Sequence, residues 1–382
     1  MLIQTQKDLD TFIKSIPACD FITVDTEFLR DKTYFPKLCL IQVGIPDGVE
    51  VAIDPLTENI DLTDLFELFK DQSIIKVFHA ARQDLEIFYK VMDGYLPSPI
   101  FDTQIAASVL GFGAQIGYNN LAKDICDVQI DKSRQFMDWS HRPLSDKQID
   151  YALADVSHLK KIYLNLTSQL KEKSREKWVL EETAFLTDDS LYKNDPEEAW
   201  TKIKMRSHKS DDLVVLKELA KWREIVAQKR NIPKQHILRD EVLTQLAMLK
   251  PQKEAQFKRV RNMPSGYQKG HQAENLLNLI YKALETPKSD WPKRKPYSPK
   301  DSDNSAIVEM LKLLLKIQSA EHDVAANIVA SAGDIEKLAS DDEADIPALK
   351  GWRFDVFGKE AIELKHGRLS LGLKDGQIQK YT

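Results

Sequence analysis

The first hundred residues alternate between short apolar runs and segments in which apolar residues recur every three or four positions. The apolar runs lie at residues 21–28, 38–44, 49–53, 74–78 and 100–101. Each run is rich in β-favouring residues and predicts a strand. Helical spacing occupies two of the intervals, at residues 62–69 and 85–92. Three closely spaced strands followed by alternating helix and strand predict a mixed α/β sheet flanked by helices.

The most sharply defined helix start lies at Ser145. Ser145 and Gln148 have the Ser-x-x-Gln spacing of a capping box. From residue 149 to residue 166, apolar residues recur at helical spacing, which predicts a long helix with one buried face. Tyr151 and Asp155 are four residues apart, so we expect both side chains at one margin of that face.

Beyond residue 205 the chain changes to helical patterns. Residues 208–286 contain several apolar stripes separated by proline-containing breaks, which predicts a small all-α domain. Residues 287–304 are rich in proline and basic residues and predict an extended linker. Residues 305–382 begin with another helical stripe and predict a second helical domain. Residues 1–205 then form the α/β domain.

Charge is distributed unevenly along the 382 residues, although the net charge is only −5. Residues 201–300 hold 23 Lys and Arg against 10 Asp and Glu, whereas residues 1–200 hold 21 against 34. A basic segment attracts polyanions such as nucleic acid. An acidic domain that handles a polyanion needs cations in its site. The alternative is that these charges only solvate helix faces.

The remaining composition excludes several classes of protein. The three cysteines, Cys19, Cys39 and Cys126, have neither disulfide-framework nor zinc spacing, which favours a reducing compartment. Neither a secretory signal nor a membrane-spanning run of about 18 apolar residues is expected. We therefore expect a cytoplasmic protein, with no membrane association and no obligate protein partner.

Two carboxylates at the end of the first long apolar run suggest chemistry. Asp25 and Glu27 are spaced by one residue, so in a strand they point to the same face. Such carboxylates repel each other unless a proton or cation intervenes, and hard divalent ions prefer carboxylate oxygens. A metal site is therefore one interpretation, and a solvated acidic strand end is the other.

Two further segments bring acids to comparable places. Asp84 lies early in the helix after strand 74–78, where α/β proteins place their chemistry, although a helix-dipole role also explains it. His79, at the same junction, is either a satisfied, partly buried histidine or a substrate contact. Asp102 follows the next strand and is expected to cap a helix. Asp155 and Tyr151 supply a fourth carboxylate and a phenol, unless they are a solvated and a core residue.

Three short motifs connect these residues to a known family. VDTEF at residues 24–28, HAARQDL at 79–85 and YALAD at 151–155 resemble the exonuclease motifs of the tyrosine-containing branch of the DEDD superfamily. DWSHRPL at residues 138–144 strengthens the match and resembles the ribonuclease D family. The resemblance implies a ribonuclease H-like catalytic domain. Residues 208–286 resemble an HRDC domain, and the segment that begins at residue 305 resembles a second, diverged one.

The same resemblance implies roles for individual side chains. Asp25, Glu27, Asp84 and Asp155 carry over as the carboxylates that bind two divalent ions, Mg²⁺ or Mn²⁺. Tyr151 carries over as the motif tyrosine, which we expect to orient the attacking water. All five are also the expected catalytic residues.

Thr26, Phe28 and His79 are expected to contact substrate, with Phe28 wedging or stacking against a terminal base. The implied function is a metal-dependent 3′-to-5′ exoribonuclease that acts on RNA with a free 3′ end. Its expected substrates are tRNA precursors and other structured RNAs, and its products are nucleoside 5′-monophosphates. Two alternatives stay open: a DNA exonuclease of the proofreading or helicase-associated kind, and a non-catalytic RNA-binding scaffold.

Overall fold

The computed structural model describes residues 1–46, 48–130, 137–207, 209–293 and 304–381. The chain forms two compact units. The first comprises Met1–Glu27, Leu40–Asp188 and Pro299–Thr382, and the second comprises Phe28–Cys39 and Asp189–Ser298.

A six-stranded mixed sheet supports the first unit. Its strands are β1 (Leu2–Ile3), β2 (Phe21–Leu29), β3 (Lys37–Gly44), β4 (Glu50–Ile53), β5 (Ile75–Phe78) and β6 (Ile100–Asp102). The strand order is β1-β4-β3-β2-β5-β6. β3 and β4 are antiparallel, whereas β2 is parallel to β5 and β5 is parallel to β6. The predicted mixed sheet is confirmed, and β1 is an addition too short to show a period.

Helices accompany this sheet along the chain. They are α1 (Gln6–Ser15), α2 (Thr63–Lys70), α3 (Arg82–Val91), α4 (Thr103–Val109), α5 (Tyr118–Cys126), α6 (Asp146–Glu172) and α7 (Glu176–Ala184). α6 begins with the predicted capping box: the Ser145 hydroxyl accepts from the Gln148 N–H, and the Gln148 side chain accepts from the Ser145 N–H. Its buried face includes Val156, Leu159 and Leu166, as the apolar spacing predicts.

The C-terminal part of the first unit is mainly helical. Its helices are α8 (Ser305–Glu321), α9 (Ala326–Val329), α10 (Ala332–Ser340), α11 (Gly351–Arg353) and α12 (Lys359–Lys365). A hairpin of β7 (Ser370–Lys374) and β8 (Gln377–Tyr381) follows them, which the helical prediction did not include. Asp375 and Gly376 both have positive φ angles at its turn, as the favoured two-residue hairpin turn requires.

The second unit is a helical cluster. Its α-helices are α13 (Ser210–Arg230), α14 (Lys234–Ile237), α15 (Asp240–Leu249) and α16 (His271–Glu285). They enclose a core that includes Leu216, Leu243 and Phe257, which are fully buried. Ala199 and Ile203, which precede α13, pack into the same core. The predicted helical content of this region is confirmed.

The predicted domain boundaries stay a prediction. The two compact units are defined by contacts in space, and they divide the chain at other positions. Residues 189–205 pack with the second unit, and residues 305–381 pack with the first. Most of the predicted linker, 287–304, lies outside the described residues. In the part that is described, Trp291 packs against the core of the second unit. None of the helices in the described part of the chain has the length and apolar content that a membrane span requires.

Candidate active site

Asp25 and Glu27 lie on β2, between β3 and β5 in the sheet. Thr23, on the same strand, donates a 2.9 Å hydrogen bond to the Val156 carbonyl of α6. Because side chains on a strand alternate between faces, Thr23 and the two acids point to the same side, toward α6. Asp25 and Glu27 are both half-buried. The fold therefore points two carboxylates at the helix that carries the tyrosine motif.

Asp84 reaches this region from the first turn of α3 and is 6% exposed. β2 and β5 are parallel, so the carboxyl end of β2 and the start of α3 lie at one edge of the sheet. The Thr26 hydroxyl donates a hydrogen bond to the Asp84 carboxylate. Thr26 was expected to contact substrate, and the structure gives its hydroxyl an acceptor within the site.

α6 supplies the last two side chains. Asp155 is 8% exposed, and Tyr151, one turn earlier, is half-buried. The hydroxyl of Tyr118, on α5, donates to the main-chain carbonyl of Asp155 and so holds this turn of α6 from the other side. We call Asp25, Glu27, Asp84 and Asp155 the carboxylate cluster.

The members of the carboxylate cluster raise one another's pKa values. Burial and the other three carboxylates raise the pKa of Glu27 to about 10. Burial raises the pKa of Asp155 to about 7. Burial raises the pKa values of Asp25 and Asp84 well above their usual range, together with the charge of Asp155 on Asp25 and the charges of Asp25 and Asp102 on Asp84. Within the described residues, the groups that act most strongly on these four pKa values include no Lys, Arg or His.

This chemistry fits a divalent cation. Carboxylate oxygens are the donors that Mg²⁺ and Mn²⁺ prefer, and a cation would relieve the repulsion that the protein itself leaves unbalanced. In the described part of the chain, no three His, Cys, Asp or Glu side chains already converge as a ready-made metal site. The cluster is therefore a set of carboxylates close enough to raise the pKa values of their neighbours, and not a closed cage.

Tyr151 remains a phenol throughout the physiological range. Burial and then the charges of Asp155, Glu27 and Asp25 raise its pKa well above the ordinary value. A protonated phenol beside a group of carboxylates can donate a hydrogen bond. Only its phenolate form could accept a proton as a general base. Because Tyr151 stays protonated at neutral pH, its hydroxyl is available as a hydrogen-bond donor.

The expected substrate contacts of His79 and Phe28 stay predictions. His79 is half-buried, and its Nδ1 and Nε2 lie 3.0 Å from the Thr103 hydroxyl and 3.1 Å from the Ile116 carbonyl. These are the partners expected for a satisfied, partly buried histidine. Phe28 follows Glu27 directly but groups with the second unit.

Asp102 makes more contacts than the helix capping that the sequence predicts. Its expected capping of a helix is confirmed, since it accepts from the Gln104 and Ile105 N–H groups at the start of α4. Its carboxylate also accepts from the Ala80 and Ala81 N–H groups, at 3.1 and 2.8 Å. Ala80 has a φ of 57°, a strained value for a residue with a side chain. Asp102 therefore holds the turn that delivers Asp84.

Two protein-family models match separate parts of the chain. The model of a 3′–5′ exonuclease family matches residues 1–171, which include the whole carboxylate cluster and Tyr151. The HRDC domain model matches residues 212–280, within the second unit.

Full-length relatives share both regions. The chain is 41% identical to a ribonuclease D of Bartonella henselae, over 99% of this chain and 93% of that protein. It is 42% identical to a ribonuclease D of Acidiphilium cryptum, over 99% of this chain and 96% of that protein. The crystal structure of Escherichia coli RNase D, described as an exoribonuclease involved in structured RNA processing, superposes with a TM-score of 0.82. That match has 29% identity and covers 96% of this chain and 98% of the other.

Proposed function

This chain belongs to the ribonuclease D family, and from that premise we propose that it trims the 3′ ends of tRNA precursors and other structured RNAs. The reaction is 3′-to-5′ exoribonucleolytic hydrolysis, which releases nucleoside 5′-monophosphates one at a time. The alternatives of a DNA exonuclease and a non-catalytic scaffold are not favoured, since the full-length relatives are ribonucleases D.

One observation carries the assignment of the site. The carboxylate cluster and Tyr151 come from β2, α3 and α6. Nevertheless, each of these side chains either changes the pKa of another one or has its own pKa changed by another one. This convergence falls within the part of the chain matched by the 3′–5′ exonuclease family. That family depends on divalent metal ions. The side chains proposed to act are therefore those that the three motifs predicted.

We propose that Asp25, which is central on β2, would help to hold both metal ions. Glu27 and Asp155 would complete the binding of one ion, and Asp84 would support the other. Mg²⁺ or Mn²⁺ bound there would supply an acidified water and neutralise charge on the phosphate and on the leaving oxygen.

The other residues of the site orient the attacking water or position the carboxylates. Tyr151 donates a hydrogen bond that orients the water toward the last phosphodiester. The water oxygen bonds to phosphorus and gives up a proton to the solvent, while the bond from phosphorus to the penultimate 3′ oxygen breaks and that oxygen takes up a proton from the solvent. Asp84 is positioned by the Thr26 hydroxyl and by the Asp102-supported turn at Ala80. Thr26, Phe28 and His79 are retained as candidate contacts to the terminal nucleotide.

RNA capture is proposed to rest on the basic segment, where residues 201–300 carry an excess of 13 positive charges. Neutralising phosphates with Lys and Arg releases counterions and supplies affinity without sequence preference. The division into a catalytic domain (1–205), an HRDC domain (208–286), a linker (287–304) and a second HRDC-like domain (305–382) belongs to the same proposal. So does a cytoplasmic site of action, where the three free cysteines would stay reduced.

The test uses the full chain and matched oligonucleotides. An RNA with a free 3′ hydroxyl, the same RNA with a blocked 3′ end, and a DNA of the same sequence are incubated with Mg²⁺ or Mn²⁺. We expect stepwise shortening and nucleoside 5′-monophosphates from the first RNA only. A tRNA precursor with a 3′ extension should be trimmed to its mature end. Internal cleavage, or faster hydrolysis of the DNA, would contradict the proposal.

A further inference from the structure

A partly buried ion pair joins the end of β4 to the segment that leads into α6. Asp54 follows β4 and is 1% exposed. Its two oxygens accept from Arg142 Nε at 2.6 Å and from Arg142 Nη2 at 2.7 Å, in the two-pronged geometry that only arginine provides. The Gln4 side chain and the Leu56 N–H also donate to Asp54, at 3.1 and 3.0 Å. The carboxylate is thus fixed by four donors.

The third nitrogen of the Arg142 guanidinium binds the chain segment in which Arg142 itself lies. Its Nη1 donates to the main-chain carbonyls of Trp139 and His141, at 2.7 and 2.8 Å. These residues lie directly before the capping box of α6. A rigid planar group therefore sets the path of the backbone between a fixed strand end and the start of the catalytic helix.

Trp139, whose main-chain carbonyl Arg142 binds, contacts Tyr151. Trp139 is 2% exposed, and its ring centroid lies 6.2 Å from that of Tyr151, with the ring planes tilted by 35°. The buried indole N–H has no hydrogen-bond acceptor among the residues that the structure describes. Packing and the Arg142-bound carbonyl therefore fix the Trp139 ring, which forms one wall beside Tyr151.

From these contacts we infer that Asp54, Arg142 and Trp139 form a positioning clamp that sets the place of the Tyr151 hydroxyl over the carboxylate cluster. The inference rests on the proposed role of Tyr151 and extends it to residues up to 97 positions away in sequence. None of the three is proposed to touch the substrate. Their effect on hydrolysis passes through Tyr151.

A double-mutant cycle tests this route. Arg142→Lys keeps the positive charge but cannot hold both Asp54 oxygens and two carbonyls. We expect kcat on a short RNA to fall about 10- to 100-fold, the scale of a small misplacement of a reacting group, with KM within about twofold. In a Tyr151→Phe background, where the hydroxyl is absent, the same change should reduce kcat by less than about twofold. Trp139→Phe should show the same dependence on background.

Arg368→Lys is the matched control. Arg368 also binds a carboxylate with two prongs, to Glu363 at 2.6 and 2.9 Å, but near the C-terminal hairpin. We expect its substitution to leave kcat unchanged. Equal losses from Arg142→Lys in both backgrounds would overturn the clamp, because the pair would then act on stability or on another group.

A second measurement separates this inference from the proposed catalytic role. In protein with ¹³C-labelled tyrosine, the Tyr151 ring signal is assigned from its loss in Tyr151→Phe. Arg142→Lys should shift or broaden that signal and leave the other tyrosine signals in place. This result would support the clamp even if Tyr151→Phe proved fully active and the catalytic role failed. An unchanged Tyr151 signal would overturn the clamp whatever the kinetics.

Discussion

Buried carboxylates occur in both compact units, but the two sets are compensated differently. In the second unit, Asp212 is 5% exposed and forms an ion pair with Lys250, and it accepts a hydrogen bond from Ser207. Glu224, 2% exposed, pairs with Lys234 at 3.2 Å. In the first unit, the carboxylate cluster has acids as its strongest electrostatic neighbours.

The difference separates structural charge from functional charge. A buried ion whose partner lies on the same chain helps to fix one packing arrangement, and breaking the pair is costly. A buried carboxylate whose neighbours are also acids weakens the fold when it ionises, so it keeps its proton until a ligand supplies the missing charge. The paired acids of the second unit therefore fit a role in folding, and the carboxylate cluster fits the catalytic role proposed for it.

The largest expected effect comes from removing one charge of the cluster. Asp25→Asn keeps the shape of the side chain but should lower kcat by about 10³-fold or more, above the loss from a single electrostatic donor because two proposed metal sites share it. Initial rates on a short RNA at saturating Mg²⁺ measure this. Asp212→Asn, assayed well below its melting temperature, should keep nearly full activity. Comparable losses in both variants would remove the distinction between the two sets.

Tyr151→Phe should produce the next largest effect. It removes only the hydroxyl that is proposed to orient the water, so we expect kcat to fall by about 10²-fold while the melting temperature changes little. Steady-state kinetics and a thermal melt of the same preparation measure both quantities. A variant with full activity and reduced stability would make Tyr151 a packing residue.

The structural pair should give the opposite pattern. Lys250→Met leaves the Asp212 carboxylate buried without its cation, and we expect the free energy of unfolding to fall by about 3 kcal/mol. Urea denaturation measures this, and the kcat on a short RNA should stay within about twofold. The exposed pair of Lys70 and Glu67 offers a control, since Lys70→Met should cost less than about 1 kcal/mol. A Lys250 variant as stable as the wild type would place Asp212 outside the structural set.

A pH dependence of stability is also expected in the absence of metal. The pKa of Glu27 is raised to about 10 and that of Asp155 to about 7. The folded protein therefore holds protons that the unfolded chain releases above about pH 4.5. Stability is then greatest at low pH and decreases as the pH rises, by up to about 1.4 kcal/mol per pH unit for each such group. Chelated protein melted between pH 5 and 8 should show this decline, and added Mg²⁺ should flatten it.

The local part of this account could be predicted from the sequence. Strand alternation placed Asp25 and Glu27 on one face, and the capping box fixed the start of α6 at Ser145. The Asp375-Gly376 pair is also a strong local hairpin signal, so β7 and β8 were open to prediction from the sequence but were not predicted.

Contacts between distant segments could not be predicted in this way. Arg142 and Asp54 are 88 residues apart, and nothing in either local pattern indicates the other. Residues 28–39 run from the end of β2 to the start of β3, yet they group with the helical unit. Within that unit, Tyr34 donates to Glu224, 190 positions away. Such pairings depend on the packing of whole units, which periodicity does not encode.

The most direct test of the central claim is the thermal stability of wild-type and Asp25→Asn protein, each with chelator and with Mg²⁺ or Mn²⁺. If the cluster is a cation site held at the expense of stability, the metal should raise the wild-type melting temperature, by an amount equivalent to about 2.7 kcal/mol at 100 times Kd. Chelated Asp25→Asn should melt above the chelated wild type and gain little from the metal. A wild type unaffected by metal, or an Asp25→Asn protein that melts below it in chelator, would contradict the account.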